Sequence, residues 1–352
     1  MAKKDLSPRD LGGTENPFLL KKDEWVKIQT YTADGSYVPV NELEMRKVLA
    51  LNSSAELPDF SELYSVYSNI KTHCSNWKDK TFGKVINTAH EIVNYSRRAS
   101  VYYQPLNDYL PDILDGDEVA LDKFKRLCVK LASEAEDFTN QAAALEEEVG
   151  EFATNTDVDA VELGNVKDKY DKLYGETSET VKQLRKEVND LQKELKEYVE
   201  DYKDFEEKSW LSLLAGPIFG FIIKGILDST EGKRLQAKIE ATKQKIEANQ
   251  GVIQRNVYLM SLLDNTDSGT DRIQQAMNDA IPVIKKIKNI WGAIHADLKV
   301  LSEIIMEDIH DDPDFADLGI EYAINQWEAV GKQADDFRIN ADVGYITEPV
   351  SA

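Results

Sequence analysis

Four histidines and two cysteines are the residues of this 352-residue chain best suited to nucleophilic or metal chemistry, and their spacing supports neither. His73, His90, His295 and His310 are scattered, and His73 and Cys74, adjacent in sequence, diverge on a helix. Glu307, His310, Asp311 and Asp312 form a weak ligand-like group, which a solvated helix end explains better than a metal. Cys74 and Cys128 have neither CxxC nor zinc spacing and read as free thiols. There is no HExxH, GxSxG, P-loop or dinucleotide fingerprint. The pairs Glu147-Glu148 and Glu206-Glu207 fall on helical faces and read as solvated. The sequence therefore predicts no catalytic residue, no metal, no cofactor and no enzymatic activity.

What remains is the chemistry of partition between water and oil. Trp210 to Leu227, WLSLLAGPIFGFIIKGIL, holds one charge, Lys224, in a chain that is 30% charged. Trp210, Leu211, Leu213, Leu214, Ile218, Phe219, Phe221, Ile222, Ile223, Ile226 and Leu227 are its large apolar side chains, and they are the candidate membrane-contacting residues. A buried helix in a globular domain can also be apolar on all sides. Here the flanking segments are two thin amphipathic arms, which offer little core to hide it. As one helix, 18 residues cover about 27 Å, close to a hydrocarbon core of roughly 30 Å. A single crossing would leave the two arms on opposite sides of the bilayer, unable to pair. Gly216 and Pro217 are a turn signal and the candidate hinge of a hairpin. Its arms of about 6 and 10 residues reach roughly 9 and 15 Å as helix. Burying the large side chains contributes about 1.5–3 kcal/mol each. That outweighs one snorkelling lysine, and Trp210 suits an interfacial anchor. The soluble form must then shield the tip.

The arms that position this tip are the most regular part of the chain. Val181, Leu184, Val188, Leu191, Leu195, Tyr198 and Tyr202 step alternately by three and four, a heptad seam on a rod over 166–205. Leu235, Ile239, Thr242, Ile246, Asn249 and Ile253 mark the facing seam of a second rod over 233–263. Before the arms, apolar residues spaced by three and four predict helix from Asp59, interrupted near Gly83 and stopped by Pro105 and Pro111. A further helix opens at Asp115-Gly116-Asp117 and ends in a break at Thr154 to Asp157. After the arms, Asp264 to Thr270 reads as a loop. A last long helix follows, kinked or joined at Pro282, and Asp317 to Phe337 closes the chain. Residues 1 to about 20 read as a flexible lead. The expected fold is all-α: an elongated bundle of about five long helices with a coiled-coil stalk and an apolar hairpin tip. Its domains are a lead with short helices (1–57), a helical tail bundle (58–165 with 264–340), and the stalk (166–263) carrying the tip at 210–227.

Composition narrows the partners. With 42 Lys and Arg against 64 Asp and Glu, the formal net charge is −22. Such a chain repels nucleic acid, and any membrane contact must come from apolar burial. MAKKDLSPRDLGGTENPF has no apolar region behind its lysines, so secretion without a Sec signal is expected.

Long helices, an apolar hairpin tip and no signal peptide resemble the cytolysin A-like α-helical pore-forming toxins. Within them, KKDEWVKIQTYTADGSYVPVNELEMRKVLAL and HCSNWKDKTFGKVINTAHEIVNYSRRASVYYQPL are similar to the A subunit of the alpha-xenorhabdolysin binary toxins, over about residues 20–340. The chain length is nearer that of a B subunit. The resemblance implies a two-component cytolytic or insecticidal toxin. Its soluble subunits would bind target-cell lipid and assemble with a B-type partner into a hetero-oligomeric ring on the membrane. The alternative is a non-enzymatic helical scaffold whose apolar tip docks a protein partner.

Overall fold

The computed structural model describes residues 4–9, 11, 28, 31–32, 35–49, 57–175, 177–201, 212–214, 221–223, 230–249, 251–306, 309 and 318–341. The fold is all-α, as the periodicity predicts, with two three-residue strands as its β structure among the described residues. The helices are α1 (Glu42–Val48), α2 (Ser61–Asn76), α3 (Phe82–Leu114), α4 (Glu118–Tyr170), α5 (Glu179–Asp201), α6 (Thr230–Glu247), α7 (Val252–Glu303) and α8 (Ile320–Ala341). π-helical turns, Trp77–Thr81 and Asp171–Gly175, join α2 to α3 and close α4. Strands β1 (Ser212–Leu214) and β2 (Phe221–Ile223) lie between α5 and α6.

Helices run through several places where the sequence suggested a stop, a loop or a junction. Helix α3 runs through Pro105 and Pro111. Its buried stripe of Tyr103, Leu106, Leu110 and Ile113 continues on the face opposite the exposed Pro111, so packing overrides the lost backbone donors. Helix α4 runs through 154–157. There the buried Thr156 hydroxyl donates to the Phe152 carbonyl at 2.8 Å, inside the helix, instead of capping its end. Helix α7 runs through both 264–270 and Pro282.

The contacts group the chain into two compact units: 1–21, 81–150 and 279–341 form one, and 22–80, 151–278 and 342–352 the other. In the first, α3 packs on α8, and α4 runs antiparallel to α7, with Lys288 on Glu146 and His295 Nδ1 2.9 Å from the Ala132 carbonyl. Its core is aromatic. Trp291 and Trp327 stack at 4.9 Å, and Tyr95 meets them edge-on at 4.7 and 4.8 Å.

Residues 4–9 close this core, which corrects the reading of the amino end as a flexible lead. Leu6 is fully buried. Its carbonyl accepts from Trp327 Nε1 at 2.9 Å and from the Tyr103 hydroxyl at 3.2 Å, two buried donors that need a partner. Asp297 anchors the flanks, facing Lys4 at 3.7 Å and Arg9 at 3.4 Å.

In the second unit α2 packs along the last turns of α4. Trp77 lies 4.5 Å from Phe152, and Phe60 meets Tyr170 at 5.6 Å. His73 Nδ1 reaches the buried Asp159 at 2.8 Å. Burial pushes the Asp159 carboxyl above its ordinary range, and the His73 contact opposes that shift in part. Cys74 and Cys128 are both buried, and neither is in a disulfide.

Candidate functional site

The two arms pair through their predicted seam. Val181, Leu184, Val188 and Leu191 of α5 are buried, as are Leu235, Ile239 and Ile246 of α6. The Leu195 side chain lies outside the described residues. Charges flank the seam and define its direction. Glu187 meets Lys245 at 2.8 Å, and Glu194 meets Lys238 at 2.9 Å and also Arg234. Residue numbers rise on one arm as they fall on the other, so the arms are antiparallel.

Beyond the arms, β1 pairs antiparallel with β2, Ser212 with Ile223, Leu213 with Ile222 and Leu214 with Phe221. The tip is thus a hairpin whose described part is β structure. Phe221-Ile222-Ile223 is the kind of aromatic and β-branched run that favours a strand over a short helix. The backbone of Leu213, Leu214, Phe221, Ile222 and Ile223 is described; Trp210, Leu211, Gly216, Pro217, Ile218, Phe219, Ile226 and Leu227 lie outside the described residues. So do Glu307, His310, Asp311 and Asp312. Among the described residues no group of His, Cys, Asp or Glu is placed to hold a metal. No helix among them is long and apolar enough to cross a membrane.

The rods are not continuous at their base. The expected 166–205 rod is interrupted by the turn Asp171–Gly175, and the 233–263 rod ends at Glu247. Asp264 shows what these interruptions do. It faces Lys167 of α4 at 3.6 Å and also Nε of Arg185 of α5 at 2.6 Å. On one straight helix those two residues would stand about 27 Å apart, too far to share a carboxylate. The chain therefore reverses between α4 and α5.

A second reversal follows from α7. Thr177 pairs with Asn256 and Arg185 with Asp264, both 79 residues apart, so α5 runs parallel to the start of α7. Since α6 is antiparallel to α5, it is antiparallel to α7 as well. The reversal lies between α6 and α7, where Gly251 holds φ +82°, a left-handed conformation suited to glycine. The arm pair is thus doubled back on the ends of α4 and α7 within this unit.

The registers on the two sides of these reversals agree. Continuing the α5/α6 register straight into α4 and α7 would place 167 opposite about 265 and 174 opposite about 258. The observed partners are Asp264 for Lys167 and Arg255, over the Tyr174 ring at 5.5 Å, for Tyr174. The difference is less than one helical turn.

At the first reversal, Arg185 is held by two carboxylates. Its Nε and Nη2 grip Asp264 at 2.6 and 2.8 Å, and its Nη1 donates to Asp171 at 2.5 Å. Asn189 adds a 2.9 Å bond to Asp264. Burial alone would push the Asp264 carboxyl up; the Arg185 fork and Asn189 outweigh it and hold the carboxyl below its ordinary range. The same hydrogen bonds, Asp264 first, keep Arg185 protonated.

Comparison with known proteins decides the family. The chain is 31% identical, over 97% of its length and 93% of the relative's, to the pesticidal crystal protein Cry6Ba of Bacillus thuringiensis. It belongs to the family of Cry6Ba. Residues 50–198 of this chain also match the model of the Bacillus haemolytic enterotoxin family. Two solved structures share the fold. The HblL1 toxin component of Bacillus cereus aligns over 98% of this chain and 100% of its own, with 14% identity and TM-score 0.58. SmhA of the tripartite α-pore-forming toxin of Serratia marcescens aligns over 97% and 96%, with 13% identity and TM-score 0.58.

Proposed function

We propose that this chain is the membrane-binding component of a two-component α-pore-forming toxin, cytolytic or insecticidal. Secreted as a soluble protein, it carries Trp210–Leu227 to target-cell lipid, hinged at Gly216–Pro217, and joins a B-type partner in a ring. Residues 166–263 act as stalk, and 58–165 with 264–340 as tail. The observation that carries this reading is the apolar stretch at the end of a doubled-back arm pair whose register matches that of its base.

Straightening at 171–178 and 248–251 would merge α4 with α5 and α6 with α7 without slipping either seam. The sequence favours that state too: Val166, Tyr170, Tyr174, Thr177, Val181 and Leu184 keep three- and four-residue steps through the junction. Swinging out a 23-residue helix such as α5 displaces its far end by on the order of 70 Å. An apolar tip delivered that way meets a bilayer by burial, with no need of positive charge.

Dye release from neutral-lipid liposomes tests the function. The expected result is binding without leakage by this protein alone and leakage when its partner subunit is added. Leakage by this protein alone would make it self-sufficient, and absence of binding in both cases would remove the membrane role.

A further inference from the structure

The Arg185 cluster has a property that the apolar seams lack: it exists in the doubled-back arrangement alone. In the straightened register, 185 would stand opposite about 247 and 171 opposite about 261, so neither carboxylate would remain within reach of the guanidinium. Asp264 would keep Lys167, and the α5/α6 seam would be unchanged. The bonds from Arg185 and Asn189 to Asp264 are what extension must break, whereas Thr177, opposite about 255 in that register, would stay beside Asn256.

Gly175 lies directly beneath this cluster and is buried. A Cβ there would stand 2.0 Å from Asp171 Oδ1 and 2.9 Å from Arg185 Nη1. Both are far ends of side chains, so a larger residue would push the ion pair apart and leave the backbone in place. Its φ is not in the left-handed region, so the backbone does not require glycine here. Alanine would also favour helix through the junction. The glycine is needed by the cluster.

We propose that the fork of Arg185 on Asp264 and Asp171, seated over Gly175, is the latch that holds the arm pair doubled back. The proposal rests on the extension described above, and its test needs no membrane, so the two fail separately. Ser261 supplies a reporter. It is fully buried, lies three residues before Asp264 on α7, and its hydroxyl has no hydrogen-bond partner among the described residues. In the full-length protein, Ser261→Cys reacts with a thiol reagent in proportion to latch opening. Buried Cys74 and Cys128 report general unfolding.

Gly175→Ala and, separately, Arg185→Lys, which keeps the charge and loses the fork, should each raise labelling at position 261 at least tenfold. Cys74 and Cys128 should keep their rates. An unchanged rate at 261, or equal acceleration of all three thiols, overturns the latch. Should Gly175→Ala fail to fold, Arg185→Lys carries the same test.

Discussion

Glu194 accepts from Lys238 at 2.9 Å across 44 residues of sequence that include the whole apolar tip. The pair sits at the far end of the α5/α6 seam, where it defines which residues face each other. It contributes little to holding them. Both side chains are more than a third exposed, and exposed pairs are worth about 1 kcal/mol or less. Leu184, 6% exposed, belongs to the apolar seam beside it. Leu184→Ala should lower stability to urea by about 2–4 kcal/mol, and Glu194→Ala by less than about 1 kcal/mol. Equal losses would mean that charge holds the arms together.

The aromatic core of the first unit depends on the amino end. Leu6→Ala should destabilise the protein by about 2–5 kcal/mol through the cavity it leaves. Deletion of residues 1–9 should be worse, because Trp327 Nε1 and the Tyr103 hydroxyl lose the Leu6 carbonyl. Thermal unfolding of both variants checks this, and an unshifted midpoint in the deletion would refute it.

Acid should open the latch late. The Asp264 carboxyl is held below its ordinary range, so its contribution is present above the unfolded value of about 3.9 and is lost as pH falls through the depressed one. Arg185, Asn189 and Lys167 face it, and Asp171 shares Arg185. Latch opening, read at Ser261→Cys with correction for the reagent's own pH dependence, should be flat from pH 8 to 5 and rise below about pH 4. A rise near pH 6.5 would assign the control to a histidine instead.

Substitution of Ile222 by lysine or aspartate should leave the helical spectrum and solubility of the protein intact and abolish its flotation with neutral-lipid vesicles. Undiminished flotation and lysis by the variant would remove Trp210–Leu227 from the membrane contact.

Periodicity made the helices and the arm seam legible, because buried positions recur at three and four whatever the fold does elsewhere. Val181, Leu184, Val188 and Leu191 are buried as expected. The two reversals were hidden for the same reason. In sequence the stripe runs on through 171–178, and the spacing of Ile246, Asn249 and Ile253 continues one face across Gly251. The polar run at 264–270 misled in the opposite direction. Asp264 bonds to Arg185 and Asn189, and the helix runs on through it. Such a partner lies 75 or 79 residues away, beyond any local pattern.

In the proposed action the arm pair unfolds from its doubled-back state at a membrane. Spin labels at Asp168→Cys and Asp190→Cys, both exposed positions, measure it directly. In the soluble protein the two sites lie on neighbouring antiparallel helices, about 10–15 Å apart. On one continuous helix they would be 22 residues, or about 33 Å, apart. A change from the short to the long distance is expected on adding neutral-lipid vesicles with the proposed partner subunit. A distance that stays short while vesicles are bound and leaking would contradict it.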